Sequence, residues 1–342
     1  MKKILLSALM LSVAALGTQA KYWKIGPSSV NGMDFASINA AMESSNVAAG
    51  DTLYLDQYYN ENNEQTVTKQ VVIIGTGYDT SLTDEQVVAT ITSSLHLKAN
   101  NIVVKSVKMS YAYFYVDDCI IDRCYIYYGI KTQSTTAGMN HIYSCYITGY
   151  IQGYSSNNLS QFDIQNCLIL HNSNNTLRYL TSSIINNNTI ISNYSYGDNN
   201  IYDIYNSAIT NNIILRTYSD RYNDMIASNV YASGSGNSIE HNILSNTSAL
   251  TYYPTNKVGY GGSSSSLFTQ IGTYSDYYKL AENSPALGYA TDGGEVGCHG
   301  GMFGCPSGGR PQYIPYFSKV TVGQRTENGK LPVSVTVKIQ DK

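Results

Sequence analysis

Charge is scarce in this chain. Lys and Arg number 21 and Asp and Glu 24, together 13% of 342 residues, for a formal net charge of −3. No basic stripe runs along the sequence, which excludes the electrostatic footprint of a nucleic-acid binder. Acidic residues are too scattered for the several oxygen ligands of a calcium site, and no C-x-x-C pair or histidine cluster calls for another metal, so no cofactor is expected. Beyond residue 20 no apolar run reaches the roughly 18 residues of a membrane span, so membrane insertion is not expected. Two aromatics are rare as well, with 6 Phe and 1 Trp against 32 Tyr. Low charge alone is compatible with disorder, but a hydrophobic content of 43%, periodically arranged, argues for a packed fold.

What the chain does have is a repeat. An apolar residue, two spacers, Cys or Asn, one spacer and a second apolar residue recur as Ile121-x-x-Cys124-x-Ile126, Ile142-x-x-Cys145-x-Ile147, Ile164-x-x-Cys167-x-Ile169, Ile185-x-x-Asn188-x-Ile190, Ile209-x-x-Asn212-x-Ile214 and Ile239-x-x-Asn242-x-Leu244. Copies start 21 to 30 residues apart, a period that marks stacked supersecondary units. Residues five apart on a straight strand face opposite ways, so both apolar positions reach one core only if the chain bends between them. Asn tolerates the left-handed conformation of such a bend, which places it at Asn188, Asn212 and Asn242, with a change of bend type between Cys167 and Asn188. Strand, bend, strand in a coil of about 22 residues describes a parallel β-helix. Stacked Asn188, Asn212 and Asn242 are expected to pass amide hydrogen bonds from coil to coil. Cys124, Cys145 and Cys167 are expected to form a column of free, packed thiols. Ile102-x-x-Lys105-x-Val107 reads as a degenerate earlier copy.

The ends read differently. Residues 1–20 have the pattern of a signal peptide, with Lys2 and Lys3, the apolar stretch Ile4 to Leu16 and a small-residue exit at Thr18-Gln19-Ala20. The mature chain is therefore expected to be secreted or on the outer cell surface. Export permits disulfides, and Cys298 with Cys305, close together in a Gly-rich segment, is the expected pair. Residues 21–65 read as an N-terminal cap and first strands, with Asp34 as N-cap of a short helix carrying Phe35, Ile38 and Met42. Residues 66–305 hold the β-helix and its closing segment. Residues 306–342 are a linker from Pro306 to Pro311 and a hairpin, its strands near Lys319 to Gln324 and Leu331 to Ile339 joined through Asn328-Gly329. A lid on the last coil and an attachment element both fit the hairpin, and oligomeric state is left open. The sequons Asn187-Asn188-Thr189 and Asn193-Tyr194-Ser195 follow from an Asn-rich composition.

Asp34-Phe35-Ala36-Ser37-Ile38-Asn39-Ala40-Ala41, then Gly50-Asp51-Thr52-Leu53-Tyr54-Leu55 and Val72-Ile73-Ile74-Gly75, resemble the entry of right-handed parallel β-helix proteins of the pectin lyase-like superfamily. The Asn-bearing repeats resemble that family's asparagine ladder. Ser284-Pro285-Ala286-Leu287-Gly288, with Asp292-Gly293-Gly294-Glu295-Val296-Gly297, resembles the closing segment of its secreted bacterial members. The resemblance implies an all-β fold, a right-handed parallel β-helix solenoid with N-terminal helical cap and C-terminal β-hairpin, and implies little about activity. Family enzymes that cleave acidic polysaccharides use a basic residue to take the proton beside a uronate carboxylate, and family hydrolases use clustered Asp. The hydrolase strings Asn-Thr-Asp, Gly-His-Gly and Arg-Ile-Lys are absent, and Asp117-Asp118 and Cys298-His299-Gly300 read as structural.

Placing Leu180 and Ile204 inward in equivalent strands puts Arg178 and Asp203 on outward faces of neighbouring coils. Lys131, Gln152 and Tyr154 belong to the same face of earlier coils. Under a lyase reading Arg178 or Lys131 is the base, with Asp203 beside it; solvated charges and a surface ion pair account for the same residues. Tyrosine points elsewhere. Tyr125, Tyr127, Tyr128, Tyr146, Tyr150, Tyr154, Tyr194, Tyr196, Tyr202 and Tyr205 flank the repeat, and an interior of Ile, Leu and Val leaves a share of them outside. An apolar ring with a polar tip suits sugar faces, while cross-coil Tyr ladders that stabilise the sheet are the alternative. The expectation is a β-helix face that binds extracellular or cell-surface polysaccharide without catalysis, through Tyr150, Gln152, Tyr154, Tyr179 and Tyr202. A polysaccharide lyase acting on uronate-containing glycans and a structural surface adhesin are the alternatives, and enzymatic activity is left open.

Overall fold

In the computed structural model the repeat becomes a stack of parallel strands. The structure describes residues 20–78, 88–135, 138–171, 176–192, 201–216, 236–245, 253–260, 265–270, 278–305, 308–309, 316–322 and 333–338. The signal segment up to Gln19, the sequon at Asn193, Tyr194 and Tyr196, the Asn328-Gly329 turn and most of the linker around Pro306 and Pro311 lie outside them. Among the described residues no helix is long and apolar enough to cross a membrane.

A sheet of 10 strands and one of 14 share the repeats, an all-β arrangement that fits a parallel β-helix solenoid. The first apolar residue of each copy lies in the 10-stranded sheet, where Val104, Ile121, Ile142, Ile164, Ile185, Ile209 and Ile239 are successive register partners. The second lies in the 14-stranded sheet, along Met109, Ile126, Ile147, Ile169, Ile190, Ile214 and Leu244. All fourteen are buried in one core, and each such side chain contributes about 2 kcal/mol of burial. The register also moves the early copy. It is Val104-x-x-Val107-x-Met109, two residues on from the Ile102 frame, and Lys105 faces outward.

The bend differs from the sequence reading by one residue. The left-handed residues are Ser106, Arg123, Ser144, Asn166, Asn187, Asn211 and His241, each immediately before the Cys or Asn position or its Val107 equivalent. That extra turn rotates the following side chain into the core, where Cys124, Cys145, Cys167, Asn188, Asn212 and Asn242 are fully buried. Cys therefore never has to adopt the conformation it tolerates poorly, and no change of bend type is needed between Cys167 and Asn188.

The buried column carries the expected amide ladder. Asn188 Nδ2 donates to Asn212 Oδ1 at 3.0 Å and to the Ile164 carbonyl at 2.8 Å. Asn212 Nδ2 donates to Asn242 Oδ1 at 3.0 Å, and the ladder continues one rung further, to Asn256 Oδ1 at 2.9 Å. Cys167 N–H donates to Asn188 Oδ1 at 2.9 Å, so the first Asn also serves the last Cys. The Cys124, Cys145 and Cys167 thiols are free and reach carbonyls of the preceding repeat at 3.5 to 3.6 Å. A second polar column, not anticipated, occupies another bend: Ser183 and Ser207 N–H groups donate to Ser207 Oγ and Asn237 Oδ1 at 3.0 and 2.9 Å.

The long strand Tyr125–Thr132 divides the larger sheet into two wings. Its first half pairs with Tyr146–Ile147 and its second half with Tyr150–Gln152. The second wing continues through Leu177–Thr181 and Ile201–Tyr205. Its inward residues Ala112, Ile130, Ile151, Leu177 and Ile201 are fully buried, which turns the alternate positions outward.

At the N-terminus a helix spans Ile38–Glu43 and buries Ile38, Ala41 and Met42. Its N-cap is Ser37, whose Oγ accepts from Ala40 N at 3.1 Å. Asp34 instead accepts from Lys24 N at 2.8 Å, and Phe35, outside the helix, packs on Trp23. The C-terminal strands Tyr316–Val322 and Val333–Lys338 pair antiparallel, the first of them beginning before the expected Lys319.

The closing segment runs back along the stack as a strap. His241 meets the Tyr289 ring at 5.5 Å, and Asn211 Nδ2 donates to Thr291 Oγ1 at 3.0 Å. Asn187 Nδ2 donates to the Glu295 carbonyl at 3.0 Å, and Asn166 Nδ2 to the carbonyls of Cys298 (3.0 Å) and Gly300. Ser144 Oγ and Arg123 Nη2 donate to the Phe303 carbonyl at 3.0 and 3.2 Å. These anchors are the left-handed bend residues of the six copies, taken in reverse order. Gly300 is required there, because a Cβ would lie 1.8 Å from the Glu295 carbonyl oxygen.

Candidate functional site

The outer face of the second wing gathers the residues singled out from sequence. Strand register lines up His96, Tyr113, Lys131, Gln152, Arg178 and Tyr202 in one outward column. The adjacent column holds Tyr111, Gly129 and Tyr150. Gly129 matters for space, since a Cβ there would lie 3.1 Å from the Tyr150 ring.

Arg178 is the best-held group on this face. Its Nε and Nη2 both donate to Gln152 Oε1, at 2.9 and 2.5 Å. The guanidinium also lies over the Tyr150 and Tyr179 rings, at 5.4 and 5.6 Å. Tyr179 and Tyr202 meet edge to face at 6.4 Å. Further along, Tyr111 stacks on Tyr113 at 5.7 Å and on Tyr128 at 5.0 Å, while Tyr127 and Tyr128 are each 49% exposed. Tyr154 is exposed beside this group, and its N–H donates to Ser160 Oγ at 3.2 Å.

Asp203 is placed differently. Leu180 and Ile204 are inward register partners, but Arg178 faces Tyr202, and no ion pair joins Arg178 to Asp203. Asp203 and Tyr179 both occupy left-handed corners, and burial raises the Asp203 carboxyl above its usual pKa. Sequence reading also passed over His171. It packs near Tyr150 at 6.3 Å and contacts Thr176 Oγ1 at 3.3 Å; burial and then the Arg178 charge hold its pKa down to about 4. Chemically the face offers apolar rings, a fixed guanidinium, an amide and the Lys131 ammonium. A guanidinium stays protonated, so Arg178 is a poor proton acceptor and a good hydrogen-bond donor.

A second polar cluster lies on the 10-stranded sheet. Tyr143 OH donates to Asp163 Oδ2 at 2.5 Å and lies 2.8 Å from His141 Nδ1, while Gln165 Nε2 donates to Asp163 Oδ1 at 2.7 Å. Burial raises the Asp163 carboxyl, but hydrogen bonds from His141, Tyr143 and Gln165 outweigh it and lower the pKa. Phe303 of the strap stacks on Tyr143 at 4.1 Å. These residues flank Ile142 and Ile164, so aligning the flanks of the repeat finds them. Among the described residues, three metal-type ligand atoms come together at Cys298, His299 and Cys305, on the strap.

No protein-family model matches the chain, and no curated protein matches it.

Proposed function

We propose that this chain is an exported right-handed parallel β-helix, capped by the helix Ile38–Glu43, whose second-wing face binds extracellular or cell-surface polysaccharide without catalysis. The observation that carries this reading is the Tyr113, Lys131, Gln152, Arg178 and Tyr202 column flanked by Tyr111, Tyr150 and Tyr179. Rings in rows along the sheet offer stacking surfaces for sugar faces, and Arg178, Gln152 and Lys131 offer polar partners for hydroxyl or carboxylate groups. The signal-peptide pattern of residues 1–20 and the likeness to the pectin lyase-like superfamily support the export and the fold handedness. A glycan array probed with the full mature chain should give hits above a β-helix protein lacking the Tyr rows. An array with no such hit removes the reading.

One observation favours a lyase as the second reading. The His171 imidazole and the Arg178 guanidinium both lie against the Tyr150 ring, at 6.3 and 5.4 Å, so a uronate carboxylate on Arg178 would lie near a side chain able to take a proton. Lyase action on uronate polymers creates a C=C bond that absorbs in the ultraviolet. Absorbance that grows with the wild type and not with His171→Asn selects this reading over simple binding.

A further inference from the structure

We propose that Cys298, His299 and Cys305 form a binding site for a thiophilic divalent metal ion, zinc in the first instance, on the strap. One ligand atom from each of the three lies within 4.8 Å of the others. The two sulfurs are 2.9 Å apart and unbonded. Two thiolates and one imidazole form a soft-to-borderline donor set that matches zinc and neutralises its charge.

Protein hydrogen bonds hold the loop in place. Asn166 binds both ends of its first turn through the carbonyls of Cys298 and Gly300, and accepts from Phe303 N at 3.3 Å. Cys298 N donates to Thr189 Oγ1 at 3.0 Å, and Ser144 Oγ donates to the Gly304 carbonyl at 2.8 Å. Cys298 is fully buried, while His299 and Cys305 are half-buried and give an ion a path in from solvent.

Binding replaces thiol protons by the metal, and the protons pass to solvent. Tetrahedral zinc with sulfur bonds of about 2.3 Å needs the sulfurs about 3.8 Å apart, so the pair must open by less than about 1 Å. Gly301 and Gly304, both left-handed, lie between Cys298 and Cys305 and give the chain that freedom. The competing outcome is the disulfide expected from sequence, which closes the same gap to about 2.05 Å and gives His299 no part. The thiols of the Cys124, Cys145 and Cys167 column belong to no such ligand group among the described residues.

The test uses the full mature chain without a histidine tag, exported, purified and examined by mass after alkylation. A portion is reduced under anaerobic conditions and titrated with Co²⁺, then with Zn²⁺. Expected are one equivalent of cobalt with a thiolate-to-cobalt charge-transfer band, displacement by zinc, and alkylation of both thiols in the exported protein. Cys298→Ser and Cys305→Ser should each lose the two-thiolate band. His299→Ala, half-buried and able to fold as judged by circular dichroism, should weaken binding by at least about ten-fold. Cys145→Ala should bind as the wild type does. Absence of the band in reduced wild type, unchanged affinity in His299→Ala, or a quantitative Cys298–Cys305 disulfide in the exported protein overturns the proposal.

Discussion

Arg178 gives two hydrogen bonds to one oxygen, Gln152 Oε1, across adjacent strands of the second wing. Both donors converge from a planar group that lies over the Tyr150 and Tyr179 rings. The guanidinium is therefore oriented before any ligand arrives, which lowers the ordering cost of binding. An Arg178→Lys variant keeps the charge but loses the fork and the stacking, so it should behave like Arg178→Ala in glycan binding rather than like the wild type. Equal affinity of Arg178→Lys and wild type in titration calorimetry would contradict this.

His171 makes the same face sensitive to pH. Its pKa is held down to about 4, first by burial and then by Arg178, against about 6.5 in an unfolded chain. The unfolded state binds the proton more readily, so the stability from this group is complete above about pH 6.5 and declines as pH falls toward about 4. Stability–pH curves should flatten over that window in His171→Asn. In Arg178→Ala the His171 pKa should rise, and an NMR titration that finds it unmoved speaks against the contact.

Loss of the Asn212 rung should be strongly destabilising. Its Oδ1 accepts from Asn188 N and Nδ2, and its Nδ2 donates to the Ile185 and Thr210 carbonyls and to Asn242 Oδ1. Asn212→Ala strands several buried groups and should cost about 3 kcal/mol in denaturant unfolding. A loss below about 0.5 kcal/mol would mean that the ladder is not a source of stability.

The buried thiols of Cys119, Cys124 and Cys145 should be inert. Burial pushes the Cys124 and Cys145 thiols well above their usual pKa, and Cys119 to about 11. A thiol reagent that labels thiolates should leave these three unmodified in the native protein and modify them on unfolding. Labelling at native rates equal to the unfolded rates would contradict the packing.

The strap should stabilise the stack through its anchors. Asn166→Ala removes the bonds to Cys298, Gly300 and Phe303 and should cost about 2 kcal/mol. Amides from Cys298 to Gly304 should then exchange faster than those of the Asn ladder. Uniform exchange across both regions would show that the strap and stack open together.

The repeat made much of this architecture readable. Ile121 to Ile126 and its copies carry register, core and ladder in one local pattern, and a period-two face assignment follows from it. The bend slipped by one because the pattern marks the inward Cys or Asn, while the left-handed Arg123, Ser144 and His241 share no side-chain type. Asn256 falls outside the pattern because it follows Asn242 by only 14 positions. The strap was illegible for a different reason: Asn166 and Cys298 are 132 residues apart, and no periodicity links them. On the second-wing face Arg178 lies opposite Tyr202 because each sits two residues before the paired Leu180 and Ile204, and the left-handed corners at Tyr179 and Asp203 break simple alternation and turn that position outward.

The proposed function puts glycan on the second-wing face and not on the rest of the stack. Affinity for the best array hit should be measured for wild type, Arg178→Ala, Tyr150→Ala and Lys105→Ala, the last on the opposite sheet and partly exposed. Each of the two face variants should lose about ten-fold or more, near 1.4 kcal/mol, and Lys105→Ala should lose nothing. Face variants that bind as tightly as wild type, with all four chains folded, would contradict that placement.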